Sequence, residues 1–404
     1  MKGYLEEVKT LFHSCSCGNQ HHPIPVERIC IEKGALSKAA DFIEEKKFHH
    51  CVIIADEKTF AAAGETLSVT LANAGIEAVI CVIHPDENGD VLADERSIVQ
   101  ALLAVPLDTD VLLAVGAGTI HDIVRFCSAK MNIPFISIPT APSVDGFTSL
   151  GAPLIVRGQK KTFQMASPIS VFADMDILLK APMKLLAAGS GDVMAKYTSL
   201  ADWRFGHLAA GEPFCPTVAN MTRSSLDSVT ASIEKIAQRD EAGVRLLMEA
   251  LIQSGLAMLI FGQSHPASGG EHHLSHFWEI EFIKLKRPAV LHGAKVGVTT
   301  AMISDLYRNQ FLEALKNLGG MGQYLGNNEK SVKNVLENLE EIRSLYSALP
   351  EGDKIRSWLE ALGGECFPEQ LGIEQSLVEK SLAEAHQLRN RFTALKFLNE
   401  VVLS

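Results

Sequence analysis

Up to about Asp176, short continuously apolar runs alternate with segments of helical spacing. The runs cover residues 29–32, 50–55, 77–83, 110–116, 135–139 and 169–173, each the length of one strand. CVIIA and VLLAV contain no polar position at all. That is the pattern of parallel strands covered on both faces, rather than of a half-solvated sheet. Between them, residues 61–74 and 97–104 place apolar side chains at helical intervals. Strand and helix in turn predict an α/β layer with right-handed crossovers.

Beyond Met175 the pattern changes. From Ala181 onward the chain is built of helix formers with almost no β-rich run, broken by turns at 211–216, 319–322, 349–353 and 363–368. The expected architecture is an N-terminal α/β domain with a Rossmann-like parallel sheet, residues 1–178, followed by an all-α domain, residues 179–404. Neither an internal repeat nor a low-complexity tract interrupts this plan.

Composition narrows the class. With 404 residues and 47% hydrophobic content the chain can bury a core in each of two domains. Its net charge of −11, from 48 acidic and 37 basic side chains without a basic block, argues against nucleic acid or an anionic membrane as partner. The opening MKGYLEEVKT lacks the apolar core of a signal peptide, and the apolar region 246–262 is interrupted by Glu249 and Gln253, so a cytoplasmic protein with a buried helix is expected. Cys30, Cys51, Cys81 and Cys127 sit in or beside apolar segments as small hydrophobes. Cys15, Cys17, His21 and His22 form the only cluster suggestive of zinc, but their spacing fits no standard structural site and the segment is read as a surface loop.

Three stretches carry candidate chemistry. SGGEHHLSHFWE, residues 268–279, sets His272, His273 and His276 beside Glu271, and His272 and His276 stack one turn apart on a helix. A solvated helix start explains such a cluster as readily as a metal site does. Asp192 in GSGDVMAKY and His292 in LHGAKVG are the partners that would complete a three-ligand site with an open position.

The second stretch, VLLAVGAGTIHDIVRF, reads as strand, turn and helix in immediate succession. Gly116 and Gly118 permit a tight turn, and the amides of Thr119, Ile120 and His121 open a helix whose dipole favours a phosphate. His121 replaces the third glycine of GxGxxG, so a plain chain reversal also fits. In the third stretch, IPTAPSVDGFTSLGAP, Thr140, Ser143, Thr148 and Ser149 offer hydroxyls, Gly146 gives backbone freedom, and Asp145 sits beyond the carboxyl end of a parallel strand. Asp56, after CVIIA, could accept from an adenosine ribose, favouring NAD over NADP, or serve as a helix cap.

Taken together these residues resemble the glycerol-1-phosphate dehydrogenases, a branch of the superfamily that includes dehydroquinate synthase, glycerol dehydrogenase and the iron-containing alcohol dehydrogenases. The resemblance runs from about Arg28 to Gly297, and PTAPSVDGFTS with GEHHLSH selects this branch. It implies a dehydroquinate synthase-like fold with the active site in the cleft between the domains. NAD(P) contacts would fall to Asp56, Gly116, Gly118, Thr119, Ile120, His121, Asp122, Thr140, Ala141, Pro142, Ser143 and Ser149. Metal ligation would fall to Asp192, His272 and His292, with Asp145, Asp192 and His276 facing the substrate.

Ala117 stands where many relatives have glycine. The doubled histidine leaves the register open between His272 and His273, and Glu271 immediately before His272 matches the glycerol-1-phosphate branch. The implied activity is metal-dependent, NAD(P)H-linked interconversion of dihydroxyacetone phosphate and sn-glycerol 1-phosphate. It would use NAD(H) or NADP(H) and one divalent ion, zinc or nickel with iron also compatible, in a homodimer. Lys160, Lys161, Lys196 and Lys295 are available for the substrate phosphate without a clear first choice. A dehydrogenase of unphosphorylated polyols and a dehydroquinate synthase-like lyase are the alternative readings.

Overall fold

The computed structural model describes residues 3–318 and 329–402; the turn expected at 319–322 lies outside the described residues. Six strands, β1 (Arg28–Glu32), β2 (His50–Asp56), β3 (Glu77–Ile83), β4 (Val111–Gly116), β5 (Phe135–Pro139) and β8 (Ser170–Asp174), pair in the order β1-β8-β5-β4-β2-β3. Every pairing is parallel. Each strand begins and ends within one residue of an apolar run. The inner strands β8, β5, β4 and β2 are buried on both faces and so apolar at consecutive positions, whereas the edge strands β1 and β3 are partly exposed.

Alternate side chains of this sheet feed two cores. Ile53, Leu113, Ile136 and Phe172 pack on one face with helices α2 (Ala35–Glu45) and α3 (Glu65–Asn73). Val52, Ile54, Leu112 and Phe135 pack on the other with α4 (Glu95–Ala104) and α5 (Gly118–Met131). Chain order reverses between β2 and β4, which are neighbours although β3 intervenes in sequence. The carboxyl ends of those two strands therefore flank the crevice where an open α/β sheet binds ligands.

A hairpin absent from the expected pattern, β6 (Gly151–Val156) and β7 (Gln159–Gln164), leaves the sheet and pairs antiparallel. Its two-residue turn is Arg157-Gly158, both at positive φ, as a type I′ hairpin requires. The polar composition of QKKTFQ hides this strand from an apolar-run criterion.

No strand follows Asp174 among the described residues. The second half is helical, including α6 (Met183–Met194), α7 (Lys196–Ala210), α8 (Pro216–Thr230), α9 (Glu241–Phe261), α10 (Gly270–Lys284) and α11 (His292–Leu306), preceded near the N-terminus by α1 (Tyr4–His13). Among described helices α9 alone is long and apolar enough to cross a membrane, yet 72% of its most apolar window is buried. It forms the centre of a core with Leu186, Val193, Val218 and Val229. A second core is aromatic, built from Phe205, Trp278, Tyr307, Phe311, Tyr346 and Phe397.

Candidate metal and nucleotide site

Asp192 reaches the site because α6 and α11 cross at backbone distance. A Cβ at Gly293 would collide with the Ala188 carbonyl, and one at Gly191 would lie 2.6 Å from the Gly293 carbonyl oxygen and 3.1 Å from Gly297 Cα. Only glycine permits this approach. It sets Asp192, near the end of α6, against His292, the first residue of α11. The same helix meets the α/β half at Gly189, where a Cβ would strike the carbonyl oxygen of Pro142.

The second imidazole comes from α10. Its N-terminus is fixed by Asp202 Oδ2, which accepts from Gly270 N at 2.8 Å, and by Glu271 Oε1, which accepts from Gly269 N at 2.6 Å. Asp202 also accepts from the hydroxyls of Tyr307 and Tyr346, at 2.8 and 3.0 Å. Burial nevertheless pushes its carboxyl up to about 6. His272 then faces α6, with Nε2 3.6 Å from Asp192 Oδ1. His273, the alternative in the doubled pair, is fully buried, and neither ring nitrogen has a hydrogen-bond partner among the described residues.

Donor atoms of Asp192, His272 and His292 all lie within 4.8 Å of one another. The rings of His272 and His292 are 5.3 Å apart. His272 Nδ1–H donates to Glu271 Oε1 at 2.8 Å, which leaves the Nε2 lone pair turned toward the cluster, as a metal ligand requires. One carboxylate and two imidazoles suit a borderline divalent cation and leave coordination positions open. The residues present fit such an ion.

Charge at this site is balanced from within. Lys196, one turn after Asp192, is completely buried and its Nζ donates to Asp145 Oδ2 at 2.6 Å and to the Asp192 carbonyl at 2.8 Å, with Asp192 Oδ1 at 3.4 Å. Asp145 N donates to Asp192 Oδ2 at 3.0 Å, and Ser254 donates to Asp145 Oδ2 at 2.8 Å. Burial alone would push Asp192 up, but Lys196 and the imidazoles outweigh it and hold the carboxylate well below its ordinary range. Asp145, raised by burial and by the charge of Asp192, moves the other way despite Lys196. Lys196 is thus committed to two carboxylates and is withdrawn from the lysines open to a phosphate.

His276 stands beside the cluster, its ring 6.0 Å from His272 and 5.6 Å from His292. Its Nε2 accepts from Arg389 at 3.2 Å, so Nδ1 carries the proton and points to Glu279 Oε2 at 4.0 Å. Burial first, then Lys160 and Arg389, hold this imidazole well below its ordinary value and keep it neutral. Lys160, from hairpin strand β7, and Lys295, from α11, both pair with Glu279 Oε2, at 2.7 and 3.0 Å. Lys161 is exposed. Arg389 lies in a segment whose sequence offers no motif, and only its approach to His276 reveals it.

On the nucleotide side, Gly116 ends β4 and Gly118 opens α5. Of the three amides expected to open the helix, that of His121 is taken by the Ala117 carbonyl at 3.2 Å, which leaves Gly118, Thr119 and Ile120 as the first-turn amides that precede any intrahelical bond. The side chains of this turn point elsewhere. Ile120 packs under Gly116. His121 bonds Ser137 Oγ at 2.7 Å through Nε2 and the Ala117 carbonyl at 2.9 Å through Nδ1, and burial takes it down to about 3. Asp122 pairs at 2.7 Å with the buried Arg125, which the sequence did not single out and which also holds the carbonyl of Gly151 at 3.1 Å.

Thr140 N returns to the Gly116 carbonyl at 3.1 Å, joining the ends of β4 and β5. Ala141 is buried, Ser149 Oγ donates to the Gly146 carbonyl at 3.2 Å, and Ser143 Oγ is buried with no partner among the described residues. Val144, the next residue, packs on Gly118 at the start of α5, and a buried unpartnered hydroxyl in that loop is of the chemistry that takes a phosphate. Asp56 Oδ1 accepts from Thr59 N at 2.8 Å as a helix cap at the end of β2.

The chain is similar to known proteins along its whole length. It is 52% identical over 403 residues, 100% of this chain and 99% of the relative, to a glycerol-1-phosphate dehydrogenase [NAD(P)+] of Geobacillus stearothermophilus. It is 48% identical to the protein of that name in Geobacillus thermodenitrificans, covering 100% of this chain and 99% of the relative. Residues 30–182 match the family model described as iron-containing alcohol dehydrogenase. Among solved structures, an alcohol dehydrogenase from Oenococcus oeni aligns with a TM-score of 0.66 at 15% identity, covering 92% of this chain and 94% of that one.

Proposed function

The chain belongs to the glycerol-1-phosphate dehydrogenases, within the iron-containing alcohol dehydrogenase superfamily, and from that membership we propose how its own residues carry the reaction. The enzyme is an NAD(P)-dependent oxidoreductase that interconverts dihydroxyacetone phosphate and sn-glycerol 1-phosphate. Full-length identity of 52% to a relative of that name is the observation that carries the activity.

Asp192, His272 and His292 would hold one divalent cation, zinc or nickel by the softness of the donors, with iron also compatible. When bound, that ion supplies Lewis acidity at the ketone and the nicotinamide supplies hydride. Glu271 fixes the His272 tautomer, and Lys196 keeps two buried carboxylates from repelling each other. Asp145, its carboxyl raised by burial, orients a substrate hydroxyl. His276, neutral and protonated on Nδ1, is the candidate donor of the proton that the alkoxide takes up on ketone reduction, with Glu279 beside it to orient that N–H and solvent to restore the proton.

For the phosphate, Lys160, Lys295 and Arg389 converge around His276 and Glu279. The amides opening α5 and the Ser143 hydroxyl would take the cofactor phosphates, with Thr140, Ala141, Pro142 and Ser149 along its course. The Asp56 carboxylate at the end of β2 favours NAD over NADP by repelling a 2′-phosphate. We further propose residues 1–178 and 179–404 as the two domains, a homodimer as the assembly, and the cytoplasm as the site of action. Eight free cysteines support a reducing compartment.

Initial rates of NADH oxidation with dihydroxyacetone phosphate against dihydroxyacetone test the substrate. A preference for the phosphorylated ketone is expected; preference for the unphosphorylated one would reassign the enzyme to polyols.

A further inference from the structure

Residues 14–27, between α1 and β1, contain neither helix nor strand. So long a structureless connection is uncommon inside a domain unless something other than backbone pairing fixes it. Here the chain places Cys15, Cys17 and His21 against Cys215, the residue immediately before α8 and 200 positions from Cys15. The segment is therefore not the simple surface loop that its spacing suggests. His22 takes no part in the cluster.

We propose that Cys15, Cys17, His21 and Cys215 form a second metal site, a structural tetrahedral centre for a zinc-class cation, separate from the catalytic cluster. Their donor atoms all lie within 4.8 Å of one another. Zn–S bonds of about 2.3 Å and Zn–N bonds of about 2.0–2.1 Å at tetrahedral angles require S···S edges of about 3.8 Å and S···N edges of about 3.6 Å. The structure has Cys15 Sγ 3.7 Å from Cys215 Sγ, Cys215 Sγ 3.8 Å from His21 Nε2, and Cys17 Sγ 3.3 Å from His21 Nε2. Three thiols and an imidazole are thus gathered at the spacing of a coordination polyhedron around one point.

The surroundings of Cys15 and Cys17 offer donors to sulfur that carries negative charge, while Cys215 is the buried member of the cluster. Asn19 directs both its backbone N and its Nδ2 at Cys17 Sγ, at 3.5 and 3.4 Å, and Thr217 Oγ1 lies 3.4 Å from Cys15 Sγ. Donors aimed at the ligand sulfurs are the outer contacts that thiolate metal sites keep. Asn19 Nδ2 also holds the Phe214 carbonyl at 2.8 Å, and His22 N donates to the Ile260 carbonyl at 2.9 Å, so the loop is already docked on the helical half. On binding, each thiol releases its proton to solvent and the cation joins the N-terminal segment to the start of α8.

Elemental analysis of purified protein, with and without substitutions, tests this. Wild-type holoprotein should carry about two equivalents of divalent metal; Cys17→Ser and Cys215→Ser should lose about one, and Asp192→Ala should lose the other. Loading with cobalt(II) should give a thiolate-to-cobalt charge-transfer band in wild type and in Asp192→Ala, absent from both serine variants. Equal metal content in wild type and Cys17→Ser, or no thiolate band in the cobalt-loaded wild type, would overturn the proposal. Should the serine variants fail to fold, wild type alone decides: titrating its thiols with a mercurial should release one equivalent of metal, and release of none counts against the site.

Discussion

His272 Nε2 lies 3.6 Å from Asp192 Oδ1, while the other nitrogen of the same ring is held at 2.8 Å by Glu271. The imidazole is therefore gripped between a carboxylate that fixes its tautomer and one that shares its ligand face. Glu271 itself is held by Thr198 Oγ1 at 2.6 Å and by Gly269 N, so its position does not depend on the metal.

Glu271→Gln should keep the fold, because one amide oxygen can still accept, while weakening the hold on the His272 tautomer. Metal affinity should fall roughly 10- to 100-fold, read by competition with a chelator of known affinity. An unchanged affinity would show that Glu271 serves only the helix start.

Lys196→Met removes the one cation between Asp145 and Asp192. Asp145 then loses its one salt bridge among the described residues and faces the buried Asp192 carboxylate, at a cost of up to roughly 3–5 kcal/mol in metal-free protein. Urea unfolding should shift to lower denaturant concentration, with activity lost in parallel. Wild-type stability in this variant would mean the carboxylates are compensated by another group.

Lys160→Met tests the phosphate pocket. Loss of a charge-assisted contact of roughly 1.5–3 kcal/mol should raise KM for dihydroxyacetone phosphate about 10- to 100-fold, with little change in the slow rate with dihydroxyacetone. Equal effects on both ketones would place Lys160 outside the phosphate site.

His121 predicts a pH dependence of stability. Its folded value of about 3 lies below the ordinary 6.5, so below 6.5 the unfolded chain binds a proton that the folded chain refuses. Stability from this group is intact above pH 6.5 and is lost as pH falls toward 3, by about 2 kcal/mol at pH 5. In His121→Gln, which retains a donor and an acceptor for Ala117 and Ser137, the slope of unfolding free energy between pH 6.5 and 5 should be smaller by up to one proton. An unchanged slope would show that His121 is protonated in the native state.

Strands β2, β4, β5 and β8 were legible because burial on both faces forces apolar runs. β1 and the edge strand β3 were legible by their β-rich composition, although both leave positions partly or fully exposed, and β7 was not because most of its residues face solvent. The chemistry-bearing residues of the metal cluster stood out by type and motif, yet nothing local says that GSGD and LHGAKVG meet. Their glycines are the signal, since Gly191 and Gly293 are needed only where two helices touch backbone to backbone. In GAGTIHD the pattern located the helix start, but could not say that the His121 amide closes the first intrahelical bond or that its side chain belongs to the core. Arg389 and Cys215 were beyond reach, because each acts on a partner more than 100 residues away without a motif of its own.

The central claim is that Asp192, His272 and His292 hold the cation on which ketone reduction depends. Wild-type protein stripped with a chelator and titrated with nickel or zinc, with NADH oxidation by dihydroxyacetone phosphate as readout, tests it most directly beside Asp192→Ala. The rate should vanish on stripping, return with added metal in wild type, and fail to return in the variant. Full activity in exhaustively stripped enzyme, or metal-restored activity in Asp192→Ala equal to wild type, would contradict the account.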